Sequence, residues 1–205
     1  ITTRLVDSEM CIRDRNMPKD NIKRAIDKAA AGDSANYEEI RYEGFGPGNV
    51  AVIVEALTDN PKRTAPIVRS IFGKAGCVMG ETGSVAFNFQ RIGLIEYPAA
   101  VADADTVFEA ALEAGADDVE SDEESHRIIC APDDLGAVRE ALEAKFDTPT
   151  ICRFDWKPLV EAELNDVETA KKFFDFVETL NDEEDVQRVA SNVSVSDEIM
   201  AQLEG

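Results

Sequence analysis

Few residues in this chain are equipped for chemistry. His126 is the single histidine of 205 residues, and nucleophilic catalysis ordinarily needs a Ser, Cys or Thr beside such a base. No GxSxG elbow accompanies it, and it lies in SHRIICAP, whose pattern predicts a strand. It therefore reads as a structural or surface histidine. Cys11, Cys77, Cys130 and Cys152 are scattered without a CxxC pair, and one histidine cannot complete a Cys/His zinc set. Reduced, mostly buried thiols are expected. The runs Asp117-Asp118 and Asp122-Glu123-Glu124 lack the spacing and turn glycine of a calcium loop. Asp182-Glu183-Glu184-Asp185 reads as turn and cap chemistry. No catalytic residue, no metal site and no cofactor are expected, and the chain reads as a non-enzyme.

The glycines of YEGFGPGN, residues 42–49, raise the question of a phosphate cradle. Such a loop follows a strand and opens a helix, whose free N–H groups face the anion. Here the glycines lead into the strand pattern NVAVIVEAL, with no GK[ST] or GxGxxG. A turn between two strands is the expectation, with Gly44, Gly46 and Gly48 supplying unusual backbone angles and Pro47 stiffening it.

Charge is the other chemical resource. The net charge of −21 argues against a protein coated in nucleic acid. Its distribution is uneven: residues 1–28 carry seven bases and five acids, and residues 61–92 carry Lys62, Arg63, Arg69, Lys74 and Arg91 against Glu81 alone. Residues 98–150 hold fifteen acids and three bases. The acidic stretches read as solvated helix faces, and the remaining bases as a basic zone. No apolar run approaches the roughly 18 residues of a membrane helix, and no signal-peptide pattern opens the chain, so a cytoplasmic protein is expected.

The elements that must position these residues follow from periodicity. Residues 1–15 fit no clear pattern and are expected to be foreign to the fold. NMPKDNIKRAIDKAAAG predicts a helix with Ile22, Ala25, Ile26 and Ala29 on one face and Lys19, Lys23 and Lys28 near the other. After the two strands around the glycine turn, Asn60 as N-cap and Pro61 open a helix buried through Ile67, Val68, Ile71 and Phe72. At its start Lys62, Arg63 and Thr64 lie beside exposed N–H groups, a position open to a phosphate contact or to ordinary surface charge. SVAFNFQ predicts a strand with Val85, Phe87 and Phe89 on one face.

Residues 91–159 then spell βαββαβ, a ferredoxin-like unit, with Phe154, Trp156 and Pro158 expected to close its core. The helix DVETAKKFFDFVETL and the strand DVQRVASNVSV have no partners there, and would complete the earlier strand–helix–strand half. The expected class is α+β: two ferredoxin-like α/β domains, one inserted in the other. Residues 36–90 plus 160–205 form the split domain, 91–159 the insert and 1–35 the remnant of an α-helical domain.

Several strings, YEGFGPGNVAVIVEALTDNPKRTAPIVRSIFGKAG, GSVAFNFQRIGLI, EAALEAGADDV and DEEDVQRVASNV, resemble the YebC/PmpR family, which includes the mitochondrial translational activator of cytochrome oxidase. The resemblance runs from about Asn16 to the C-terminus. It implies three domains, a basic helical one and two α/β ones, and no enzymatic activity. It also implies a nucleic-acid-associated regulator, acting on DNA as a transcriptional regulator or at the ribosome to relieve stalling. The family's HSKWANI-like basic opening is absent, and only NMPKDNIKRAIDKAAAG resembles the end of that domain. The partners expected are DNA, ribosomal or transfer RNA, or the ribosome, with no membrane and a monomeric chain. Lys19, Lys23, Arg24, Lys62, Arg63, Arg69, Lys74 and Arg91 are the expected nucleic-acid contacts. A ligand-sensing or protein-interaction module is the alternative.

Overall fold

The structure, a computed structural model, describes residues 37–204. The helix expected over residues 16–32 and residues 1–15, expected to be foreign to the fold, lie outside them. From Glu38 the chain runs through β1 (Glu38–Phe45), β2 (Ala51–Thr58), α1 (Pro61–Lys74) and β3 (Val78–Met79). It continues as β4 (Phe89–Pro98), α2 (Ala104–Ala114), β5 (Asp118–Ser121), β6 (Ser125–Cys130), α3 (Leu135–Phe146) and β7 (Ile151–Pro158). The last elements are β8 (Ala162–Leu164), α4 (Val167–Asn181), β9 (Val186–Ser191), β10 (Val193–Val195) and α5 (Asp197–Glu204). Among the described residues, 37–89 and 158–204 make one compact unit and 90–157 a second.

The first unit has a four-stranded sheet of order β3-β1-β2-β9, and β8 and β10 pair in parallel beside it. β1 and β2 form an antiparallel hairpin from Glu38↔Thr58 to Phe45↔Ala51. The glycine-rich loop is its turn, closed by Gly46 N–H donating to the Val50 carbonyl at 2.8 Å. Gly48 has φ 75°, the left-handed conformation that favours glycine, but Gly44 and Gly46 do not need unusual angles. They are small because neighbours approach: a Cβ on Gly44 would meet the Phe72 ring at 2.7 Å, and one on Gly46 the Phe176 ring at 3.0 Å.

β2 is buried on both faces: Val52, Val54 and Ala56, with Val50 just before them, pack with Val68, Ile71 and Phe72 of α1 and Phe173, Phe176, Val177 and Leu180 of α4, and Ala51 and Ile53 are buried on the other face. Phe72 and Phe176 meet edge to face at 4.9 Å between centroids, a geometry aromatic quadrupoles favour. α4 starts where the Asp166 carboxylate accepts from Thr169 N–H at 2.8 Å.

The second unit has the order β5-β6-β4-β7, with its first strand between its third and fourth. That is the ferredoxin-like order for βαββαβ. The first unit repeats it if β1, which precedes β2-α1-β3 in the chain, takes the third strand's place. α2 and α3 bury Val107, Ala110, Ala111, Val138 and Leu142 against Ile95, Tyr97 and Ile128. α2 is capped at its start by Asp103, which accepts from Thr106 N–H, and ends at Gly115 with φ 90°.

Some expectations fail locally. SVAFNFQ is not a strand: residues Ala86–Asn88 form a 3-10 turn and β4 begins at Phe89. Val85 is fully buried while Phe87 is 71% exposed, so the alternation breaks. The cause is Glu43, whose carboxylate accepts from the N–H groups of Val85 and Ala86, each at 3.0 Å, and withdraws them from any ladder. DVQRVASNVSV divides into β9 and β10 at Asn192, a buried residue that accepts from Ala51 N–H and donates to the Val160 carbonyl, both at 2.8 Å. Phe154 does not close a core; it is 49% exposed. β3 sits inside the link CVMGETG, and α5 answers no expectation. Among the described residues, no helix is long and apolar enough to cross a membrane.

Candidate nucleic-acid interface

The basic zone of residues 61–92 is built mainly on α1. Its sequence PKRTAPIVRSIFGK contains no Asp or Glu. Proline at the first turn has no N–H to leave unpaired and its fixed φ suits the helix. Asn60 occupies the N-cap but makes no side-chain cap bond. Its carbonyl instead accepts from Arg63 N–H at 2.9 Å and Thr64 N–H at 3.2 Å, while its own N–H donates to Thr58 Oγ1 at 3.0 Å.

Beneath this first turn lies a network that sequence alone did not reveal. Asp185, at the head of β9 and 2% exposed, accepts on Oδ2 from Thr64 Oγ1 at 2.7 Å and Thr58 Oγ1 at 3.1 Å. Arg63 Nη2 donates to the same oxygen at 3.0 Å and to Asp59 Oδ1 at 3.0 Å. The Asp185 carbonyl also accepts from Leu57 N–H at 2.8 Å. Burial raises the Asp185 carboxyl, but Thr64, Arg63 and Thr58 together outweigh it and hold the group below the ordinary carboxylate range. Thr64 is thereby buried and takes the place expected of Ile67, which is only partly buried.

The network fixes how α1 presents its cations. At about 100° per residue, Lys62 and Arg69 share one stripe and Arg63 and Lys74 a second about 120° further round the helix, both away from Thr64, Val68, Ile71 and Phe72. All four basic residues are exposed. Arg63 differs from the others in being tied to Asp185 and Asp59, although its side chain remains 50% exposed. Lys62, Arg69 and Lys74, with the partly neutralised Arg63, give α1 an exposed cationic surface that can hold a polyanion.

Arg91 belongs to the second unit. Its guanidinium carbon lies 5.2 Å from the Phe154 centroid and 5.6 Å from that of Trp156, within cation–π range. Lys19, Lys23 and Arg24 lie outside the described residues. The structure thus brings Lys62, Arg63, Arg69 and Lys74 together and shows Arg91 in an aromatic setting that spacing did not signal.

The remaining candidates lie apart from α1 in the chain. His126 is 3% exposed; its Nδ1 lies 2.7 Å from Ser121 Oγ and its Nε2 3.0 Å from the Ala102 carbonyl. Because a carbonyl only accepts, Nε2 carries the proton. Cys77, Cys130 and Cys152 are free thiols, but Cys152 is exposed, contrary to the expectation of mostly buried cysteines. Burial, with the carboxylates of Asp117 and Asp134, pushes the Cys130 thiol up to about 11. Among the described residues no group of three or more His, Cys, Asp or Glu side chains could hold a metal ion.

Comparison with known proteins places this geometry. A family model described as the TACO1/YebC second and third domain matches residues 37–193. The crystal structure of a conserved hypothetical protein, Aq1575, from Aquifex aeolicus is similar at 40% identity and a TM-score of 0.77, over 92% of this chain and 78% of that one.

Proposed function

This chain belongs to the TACO1/YebC family, and from that premise we propose that it is a non-enzymatic, nucleic-acid-associated regulator of gene expression that grips phosphates through the cationic face of α1. The family is a regulatory one, associated with transcriptional regulation or translational activation. The observation that carries the reading is that α1 exposes Lys62, Arg63, Arg69 and Lys74 without a single acid in a chain of net charge −21. Such concentration of one sign steers a polyanion to one face while the rest of the surface repels it.

In this reading Lys62, Arg69 and Lys74 contact phosphates, Arg63 also braces the helix start through Asp185, and Lys19, Lys23, Arg24 and Arg91 add to the grip. Phosphate contacts position a protein without reading bases. The partner is DNA, or ribosomal or transfer RNA at the ribosome, and the place of action is the cytoplasm.

Co-sedimentation with ribosomes across a salt series, with duplex DNA as competitor, tests it. Binding that survives excess DNA favours translation, and loss to DNA favours transcription. The Lys62→Glu/Arg69→Glu variant should bind more weakly to whichever partner is real, with a salt slope lower by about two. An unchanged affinity and slope would sink the reading.

A further inference from the structure

Phe154 and Trp156 are two residues apart on β7, so their side chains fall on one face of the sheet. Across from them on the neighbouring strand β4, Arg91 places its guanidinium over both rings. A core would hide such rings, yet Phe154 is 49% exposed and Arg91 is exposed. A guanidinium plane lying over a half-exposed ring offers a flat heteroaromatic a cationic face backed by a π system.

The setting also selects between parts of a nucleotide. Residues 90–157 carry seventeen acids and six bases, so this unit repels a phosphate backbone overall. What it can hold is a base whose face is free, in a loop or single strand, since a duplex hides its base faces by stacking. We infer that Arg91, Phe154 and Trp156 form a stacking platform for an unpaired nucleobase of a single strand. This deepens the proposed function and rests on it, for it adds a contact to the base to the phosphate contacts proposed above.

The test uses the whole chain and its single tryptophan, Trp156, as the reporter. A 12-nucleotide RNA, a DNA of the same sequence and the corresponding duplex are titrated, with end-label anisotropy and Trp156 fluorescence read in parallel. Expected are saturable quenching that tracks anisotropy for a single strand and a weaker response to the duplex. A preference for RNA or DNA identifies the strand. Phe154→Ala should weaken single-strand binding about five- to hundred-fold with its salt slope unchanged, and Phe154→Tyr should retain affinity. Circular dichroism establishes that both variants are folded.

If single strands bind but a folded Phe154→Ala variant matches the parent in affinity and quenching, the platform is overturned while the α1 reading stands. If Phe154→Ala weakens binding but Lys62→Glu/Arg69→Glu does not, the platform stands and the α1 reading falls. If neither the RNA nor the DNA single strand binds, the platform is overturned, and the α1 reading is decided by the duplex and the ribosome.

Discussion

Thr64 and Asp185 stand 121 positions apart in the chain, and their side chains meet at 2.7 Å. Thr64 lies in the first turn of α1 and Asp185 just before β9, so this bond joins the chain entering the first helix to the chain returning from α4. The strings TDNPKRT and DEEDV, far apart in the sequence, are therefore two halves of one structural device. A similar device joins YEG to GSVAF: Glu43, 1% exposed, bonds the N–H groups of Val85 and Ala86.

Replacing Asp185 with Ala leaves the buried hydroxyls of Thr58 and Thr64 without their carboxylate acceptor. Hydrogen bonds to a charged group are worth more than neutral ones, and a loss of about 2 kcal/mol is expected. Urea unfolding followed by circular dichroism should show the shift in midpoint with an unchanged slope. If the midpoint matches that of the parent protein, Asp185 does not hold the two segments together.

Acid stability follows from the same groups. Burial acts to raise the Glu43 carboxyl, but the N–H groups of Val85, Gly83 and Ala86 and the charge of Arg41 hold it below its ordinary value, as the hydroxyls and Arg63 do for Asp185. Both folded carboxyls titrate below their unfolded counterparts. Their stabilisation is therefore full above the unfolded value, about 4, and is lost as pH falls through the depressed folded values. The melting temperature of the parent should drop below about pH 5, and the Glu43→Gln/Asp185→Asn variant should show a shallower drop. Parallel profiles would remove these groups from the acid response.

Gly44 lies in β1 where a Cβ would meet the Phe72 ring at 2.7 Å and the Val78 carbonyl at 2.8 Å. A backbone oxygen on the paired strand cannot rotate away as a side chain can. Gly44→Ala should cost about 1–3 kcal/mol, the range for overpacking. Gly73→Ala is the control, since nothing lies within 4 Å of its added carbon. Thermal melts compare the two, and an equal effect would argue against the close approach.

Thiol chemistry separates two cysteines that look alike in sequence. Cys130 is buried with its thiol pushed up to about 11, whereas Cys152 is exposed to reagent although partial burial raises its thiol as well. Thiolate is the reactive form, so brief alkylation at pH 8 with peptide mapping should label Cys152 and leave Cys130 unmodified until denaturant is added. Equal labelling of both in the folded protein would contradict the burial of Cys130.

Local physics was legible in the residues themselves. The continuous apolar run of NVAVIVEAL, a period of 3.6 from Pro61 to Phe72 and the βαββαβ order after Gly93 followed from which side chains avoid water, and so did the α+β class. The cationic helix was legible too, because an acid-free stretch stays acid-free however it folds. Tertiary structure alone decided which distant residues meet, since alternation reports that a face is buried but not what buries it. It turned SVAFNFQ into a turn by giving Glu43 its N–H groups, put Thr64 inside in place of Ile67 by supplying Asp185, and left the Phe154 ring half in solvent beside Arg91. Each of these outcomes depends on the path of the chain through long-range partners, which hydropathy along a single segment does not encode.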